Sequence, residues 1–216
     1  MNKSIYTWVL SLIFMALFAS CNDQKDENFL DLFQDEENDG AKTLRGQNST
    51  FLKIEFPEHS YHTERGNAPF QFKLSDNSTL KAPVNCNAYY CEQEIYLGRE
   101  IDGNINLFYK KVDHPDSLAR LINFSNQEVD FHKMKASKIE YDQIIDSESK
   151  VFGTLFELKG DVATNFQFYL TDSIQNFVRG EVVLNCVPNY DSLRHVLGYV
   201  KVDLTEMINS FEWLKD

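Results

Sequence analysis

The sequence predicts an α+β fold: a mostly antiparallel sheet of about seven to eight strands with two main helices, the C-terminal helix packed on the sheet. Three observations point there. From Phe51 onward apolar residues recur at every second position, as in Phe70-Gln-Phe72-Lys-Leu74, which is the pattern of half-buried strands. Near the end Leu193, Val196, Leu197, Val200, Leu204, Met207, Ile208 and Phe211 recur every three or four residues, placing them on one face of a helix. Finally, 43% of the 216 residues are hydrophobic and 13% aromatic, enough to build a core rather than leave the chain unfolded.

In chain order, residues 1–20 read as a lipoprotein signal peptide. Lys3 precedes an apolar run from Ile5 to Phe18, the length of a signal h-region and too short for a comfortable membrane span. Phe18-Ala-Ser-Cys21 resembles a lipobox, with Phe where Leu is usual, so Cys21 is the expected acylated first residue; the other reading is ordinary secretion with Cys21 spare. Cleavage removes Lys3 and moves the formal charge from −12 to −13. Two or more acyl chains at about 0.8 kcal/mol per buried CH₂ would hold the mature chain at a membrane. Residues 21–49 carry eight acids against Lys25, Lys42 and Arg45 and read as a flexible, self-repelling tether. Its apolar island, Phe29-Leu-Asp-Leu-Phe33, is either a docking peptide or a chance cluster.

The folded part is expected over 50–216. Leu52, Ile54 and Phe56 predict a first strand and Phe70–Leu74 a second. Further strands are predicted near 89–97, 105–112, 138–145, 151–158, 164–171 and 177–185, the last four forming a meander. Turn residues separate them at Asp102-Gly103, Ser147–Lys150, Gly160-Asp161 and Asp172–Asn176. Asp113-His-Pro-Asp-Ser117 offers caps, an early Pro and a first-turn acid for a helix near 115–130. The apolar stripe described above predicts the last helix near 192–211.

Candidate chemistry is sparse. A formal charge of −12 gives phosphate-backbone binding no help, which argues against nucleic acid. No Gly-x-Ser-x-Gly elbow or Gly-rich phosphate loop occurs, and the sequence predicts no catalytic residue and no cofactor. Glu58-His59-Ser-Tyr-His62-Thr-Glu64 is the densest group of possible metal ligands, but its spacing is not that of a helical zinc motif; a polar turn between strands is expected, and no metal site. His114, His132 and His195 are scattered. Cys86 and Cys91 can close a disulfide loop in an oxidising envelope, leaving Cys186 odd; alternatively all three are buried thiols. Three Asp-Ser-aliphatic triplets, at Ser117, Ser173 and Ser192, match a bacterial O-glycosylation sequon. The same dipeptide caps helices and makes turns, which is the expected role at two helix starts and one hairpin.

Several longer runs carry a resemblance. Phe166-Gln-Phe-Tyr-Leu-Thr-Asp-Ser-Ile-Gln-Asn-Phe-Val-Arg-Gly180, Pro188-Asn-Tyr-Asp-Ser192 and Ile208-Asn-Ser-Phe-Glu-Trp-Leu-Lys215 are similar to the gliding motility lipoprotein D family (GldD) of Bacteroidota. Lys53-Ile-Glu-Phe-Pro-Glu-His-Ser-Tyr61, Pro69-Phe-Gln-Phe72 and Val151-Phe-Gly-Thr-Leu-Phe-Glu-Leu158 fit as well, so the likeness covers about 50–216. It implies a non-enzymatic lipoprotein needed for gliding and type IX secretion, whose partners are the membrane, through its lipid, and other envelope proteins of that machinery. The expected location is the outer membrane facing the periplasm. The alternative is the cell surface, since Asn22-Asp-Gln-Lys-Asp-Glu27 resembles a surface-export signal. The other functional class is a small-ligand or glycan-binding domain, or a cryptic hydrolase, serving the same apparatus.

Radiolabelled palmitate should enter the wild-type protein and not Cys21→Ala; equal labelling of the two would reject the lipobox assignment.

Overall fold

The computed structural model describes residues 55–214. The predicted signal peptide, Cys21, the acidic tether and residues 51–54 of the first predicted strand lie outside them. Glu55 to Ser60 form no strand, contrary to the alternation at Leu52–Phe56; Pro57 has no N–H to give a ladder. Pairing begins at β1 (Tyr61–Arg65) with β2 (Phe70–Ser75), in register from Tyr61↔Ser75 to Arg65↔Gln71. Sequence reading assigned this stretch to a polar turn because its side chains are polar on both faces. It is a strand because main-chain pairing with β2, not burial, holds it. Two short strands that the sequence did not reveal, β3 (Thr79–Leu80) and β4 (Asn85–Asn87), pair with the outer edge of β5 (Tyr90–Tyr96). A turn with Asp102 at φ 47° leads into β6 (Gly103–Lys111).

The chain then forms helix α1 (Pro115–Phe131) and a short 3₁₀ turn (His132–Met134). Four strands follow: β7 (Ala136–Asp146), β8 (Val151–Gly160), β9 (Phe166–Thr171) and β10 (Asn176–Leu184). They make the predicted meander, and β10 returns to pair with β6 over nine residues, Asn176↔Lys111 to Leu184↔Gly103. The eight-stranded antiparallel sheet therefore runs β3-β5-β6-β10-β9-β8-β7, with β4 beside β3 on β5. Because β6 and β7 run in the same direction with three strands between them, the connection must return the chain to the opposite end of the sheet. With ~1.5 Å rise per residue, α1 covers about 26 Å. Its first turns sit on Val112 and Phe177, where β6 ends and β10 begins, and Val129 sits on Leu158 and Val162 at the end of β8. The helix thus crosses one face of the sheet diagonally.

The opposite face carries the main core. Ile95, Ile105, Leu107, Val178, Val182, Phe166, Phe168, Leu170, Val151 and Leu155 point into it from five strands. A second sheet covers them, β1-β2-β11, with β11 (Glu212–Trp213) beside β2. So does helix α2 (Tyr190–Asn209), which buries Leu197, Val200, Leu204, Met207 and Ile208 as predicted, and Tyr199 in addition. The helix ends at Asn209, short of the expected 211. Ser210 Oγ turns back to the Glu206 carbonyl at 2.7 Å and accepts the Lys73 N–H at 2.8 Å. Phe211 leaves the helix to pack 5.1 Å from Phe70 and 4.8 Å from Trp213. Each fully buried Phe or Leu here contributes about 1.5–3 kcal/mol relative to exposure. Two glycines let strands and rings approach: a Cβ on Gly153 would meet the Tyr169 carbonyl oxygen at 1.9 Å, and one on Gly180 the Phe168 ring at 2.2 Å.

Leu204, 1% exposed, tests the placement of α2. Leu204→Asp buries an unpaired charge at a cost of several kcal/mol, against a typical total stability of about 5–15 kcal/mol. The cooperative thermal transition followed by circular dichroism should disappear; an unchanged melting curve would reject the placement. Gly153→Ala, which overpacks the β8–β9 contact, should cost about 1–3 kcal/mol in urea unfolding.

Candidate functional site

The diagonal course of α1 divides its face of the sheet into two uncovered regions. On one side lies a groove of about 440 Å³ between the helix and β5, β6 and β10, lined by Glu92, Glu94, Asn106, Phe108, Phe124 and Arg179 among others. Most of its charged groups are already engaged, whereas the Asn106 side chain has no hydrogen-bond partner among the described residues and Gln93 Nε2 is buried without one. Arg179 Nη2 donates to Gln167 Oε1 at 3.0 Å and to Glu181 Oε2 at 3.1 Å, and its guanidinium lies 6.0 Å from the Phe124 ring centroid. Lys81 bonds Glu94, and the Tyr90 hydroxyl donates to Glu92. That last bond, with burial, pushes the Tyr90 phenol above its ordinary range. A ligand bonding Arg179, Glu92 or Glu94 would have to displace these contacts.

On the other side, β7 is the last strand of the sheet among the described residues. Register places Ile139, Tyr141, Gln143 and Ile145 on the helix side, opposite Leu158, Phe156, Thr154 and Phe152 of β8. Ile139 reaches the Val129 cluster under α1. Beyond it Tyr141 and Ile145 are 67% and 71% exposed. Phe131 and Met134 also project into solvent, near the C-terminal end of α1. On the opposite face Lys138 bonds Glu140, which Lys159 joins at 2.7 Å. These two ammonium groups pull the Glu140 carboxyl down to about 2.

The residues singled out for chemistry are dispersed. His59 and His62 do not share a ligand. The Nδ1 of His59 lies 2.7 Å from Asp203 Oδ1, to which the Tyr61 hydroxyl also donates at 2.9 Å. The His59 ring stacks on Tyr199 at 4.4 Å, and Tyr199 stacks on Phe56 at 4.7 Å. Burial and the Asp203 carboxylate push the Tyr61 phenol well above its ordinary range. His62 Nδ1 meets Asp76 Oδ1 at 2.7 Å and Nε2 meets Glu64 at 3.4 Å, and the Asp76 bond raises the imidazole above its usual value. Glu58 is exposed. Among the described residues no three His, Cys, Asp or Glu side chains converge as a metal site. His114 caps α1 by accepting the Asp116 N–H at 3.2 Å, His132 lies 3.3 Å from Thr164 Oγ1, and His195 is exposed on α2.

Cys86 and Cys91 face each other across β4 and β5 as a disulfide, and Cys186 is an exposed free thiol rather than a buried one. Ser117, Ser173 and Ser192 are all exposed. The helix caps are His114 and Asn189, so the Asp residues of the first and third triplets, Asp116 and Asp191, are first-turn acids and not caps. In the middle triplet Asp172 organises the β9–β10 turn, its Oδ1 accepting the N–H groups of Ile174, Gln175 and Asn176 at 2.9, 2.8 and 2.9 Å. Sequence reading missed Tyr61, Tyr199 and Asp203. Tyr199 falls within the α2 stripe, one residue before Val200, and was a readable signal; the partnership of Asp203 with His59 spans the chain and was not. Also missed was that the helix-side residues of β7 run out beyond α1.

Together these features define an α+β sheet domain with one face divided by a crossing helix and with an open sheet edge. The model of a family described as gliding motility lipoprotein GldD matches residues 42–213, and the chain belongs to that family. It is accordingly a gliding motility lipoprotein. No curated protein matches the chain.

The Asp172 turn yields a pH prediction. Burial alone would raise its carboxyl, but the three backbone donors and the Asn176 amide outweigh it and hold the group below its ordinary value. A depressed carboxyl stabilises the fold above its unfolded value, and that stability is lost as pH falls through the folded one. Asp172→Ala should cost about 1–3 kcal/mol at pH 7, and the gap from wild type in urea titrations should begin to close as pH falls below the ordinary carboxylate value and shrink further through the depressed one.

Proposed function

We propose that the protein is a non-enzymatic assembly component of the gliding apparatus and of type IX secretion, working through its surface rather than through a reaction centre. What carries this is the pair of exposed side chains Tyr141 and Ile145 on β7, a terminal strand with no outer neighbour among the described residues. Exposed apolar area beside unpaired backbone is what partner proteins cover, whereas Arg179, Glu92 and Glu94 in the groove on the other side of α1 already hold partners. The link to type IX secretion is what the family resemblance implies. A lipid on Cys21 tethers the domain to the outer membrane on its periplasmic side in this proposal, with the cell surface as the alternative. A second reading, a ligand-binding or hydrolytic domain, is favoured by one observation, the groove of about 440 Å³ with Phe108 and Phe124 in its walls.

Deleting the gene should stop gliding, where the organism glides, and impair type IX secretion. His62→Ala and His195→Ala, both exposed, should restore both activities. His59→Ala also removes the Asp203 contact and His62→Ala the Asp76 and Glu64 contacts, so His195→Ala is the cleanest probe. Glu92→Gln and Asn106→Ala in the groove separate the two readings: full complementation supports assembly, while a folded, abundant variant that fails to complement would replace it with the ligand reading. A deletion strain that still glides and secretes would overturn the assignment altogether.

A further inference from the structure

We propose that the outer edge of β7 binds an extended segment of a partner protein in which apolar residues alternate with Lys or Arg, adding a ninth strand to the large sheet. The proposal rests on the assembly role above and names the chemistry of the partner. The two ends of the sheet differ. At one end the outer edge of β5 is already paired with β3 and β4, and β4 is fastened by the Cys86–Cys91 disulfide. At the other, β7 is eleven residues long and has no strand on its outer side among the described residues. An edge of that length displays a row of unpaired N–H and C=O groups, a template for strand addition.

The side chains specify what can pair there. An added strand would lay alternate residues on the helix side next to Tyr141 and Ile145, so those residues should be apolar. Its other residues would lie beside Lys138, Glu140, Asp142, Ile144 and Asp146, of which Ile144 is half-buried against the core. Lys138 is spent on Glu140, and Asp142 is exposed with no partner among the described residues. The edge is therefore acidic, and its complement is basic. The same charges disfavour a second copy of this chain: antiparallel pairing centred on Tyr141 would set Glu140 of each copy against Asp142 of the other, between chains of formal charge −12. The edge is guarded against itself and open to a basic strand.

The test uses the full-length protein in detergent and a fluorescent nine-residue peptide of alternating Lys and Val. Two control peptides carry Glu in place of Lys, or the Lys–Val sequence N-methylated at every residue. The N-methylated peptide keeps the charge but cannot form the ladder. Anisotropy titrations should show the Lys–Val peptide binding at least about tenfold more tightly than either control. Tyr141→Ser combined with Ile145→Ser should lose about tenfold in affinity with an unchanged melting curve, since both side chains are exposed, and Asp142→Lys should also weaken binding. Equal binding of the N-methylated peptide, or no binding of the Lys–Val peptide, overturns the proposal. A dimer in sedimentation that the double Ser variant dissolves assigns the edge to a second copy and overturns it too. In cells the double variant should stop gliding. If it glides normally although the deletion strain does not, the edge proposal fails while the assembly role stands; if the deletion strain also glides, the assembly role fails.

Discussion

The nine-residue ladder between β6 and β10 is the constraint from which the rest of the architecture follows. By seating the returning strand of the meander against β6, it pushes β7 to the far end of the sheet, with three strands between it and β6. An unpaired chain crossing that distance would leave backbone polar groups without partners, and a helix satisfies them internally. Its route is set by its two contacts, Leu118 on Phe177 and Val129 on Leu158. The groove and the exposed side chains of Tyr141 and Ile145 lie on either side of its diagonal course.

What the sequence made legible was local. The stripe on α2 and the alternation of β6 to β10 are each written within a few residues, and period alone identifies them. β1 was not legible, because Tyr61–Arg65 has polar residues on both faces and owes its strand to Phe70–Ser75. Nor was β11, two residues long and held by β2 and by the packing of Phe211 and Trp213 on Phe70. The strip on β7 belongs to the same class. Tyr141 and Ile145 alternate like core residues, and only the strand order reveals that α1 does not reach them. Strand order is a long-range property, so a single sequence read locally cannot assign a strand to an edge.

The disulfide and the acids resolve the same physical problem in two ways. A sheet edge exposes unpaired backbone wherever it stops. At β5 the chain covers the edge with its own short strands, and the Cys86–Cys91 bond keeps the second of them in place at a Cα separation of 4.1 Å. At β7 no segment of the described chain does so, and carboxylates on one face, with an ion pair between Lys138 and Glu140, make self-pairing unfavourable. A protein that needed only to remain monomeric could have shortened the strand or placed a proline in it. Eleven residues of extended, charge-guarded backbone with apolar side chains on the helix side are better explained as selective.

Where the chain enters the domain matters as much as where the sheet ends. The described chain enters the domain through Glu55–Tyr61, a segment outside the sheet until its last residue. That segment is held by side chains: Phe56, Tyr199 and His59 stack in series, and Asp203 takes both His59 and Tyr61. Every partner in this clasp lies on α2 or in the entering segment, and α2 in turn buries Val200, Leu204 and Met207 against the main core. A pull on the N-terminal side therefore loads a ring stack and a shared carboxylate before it reaches any strand ladder.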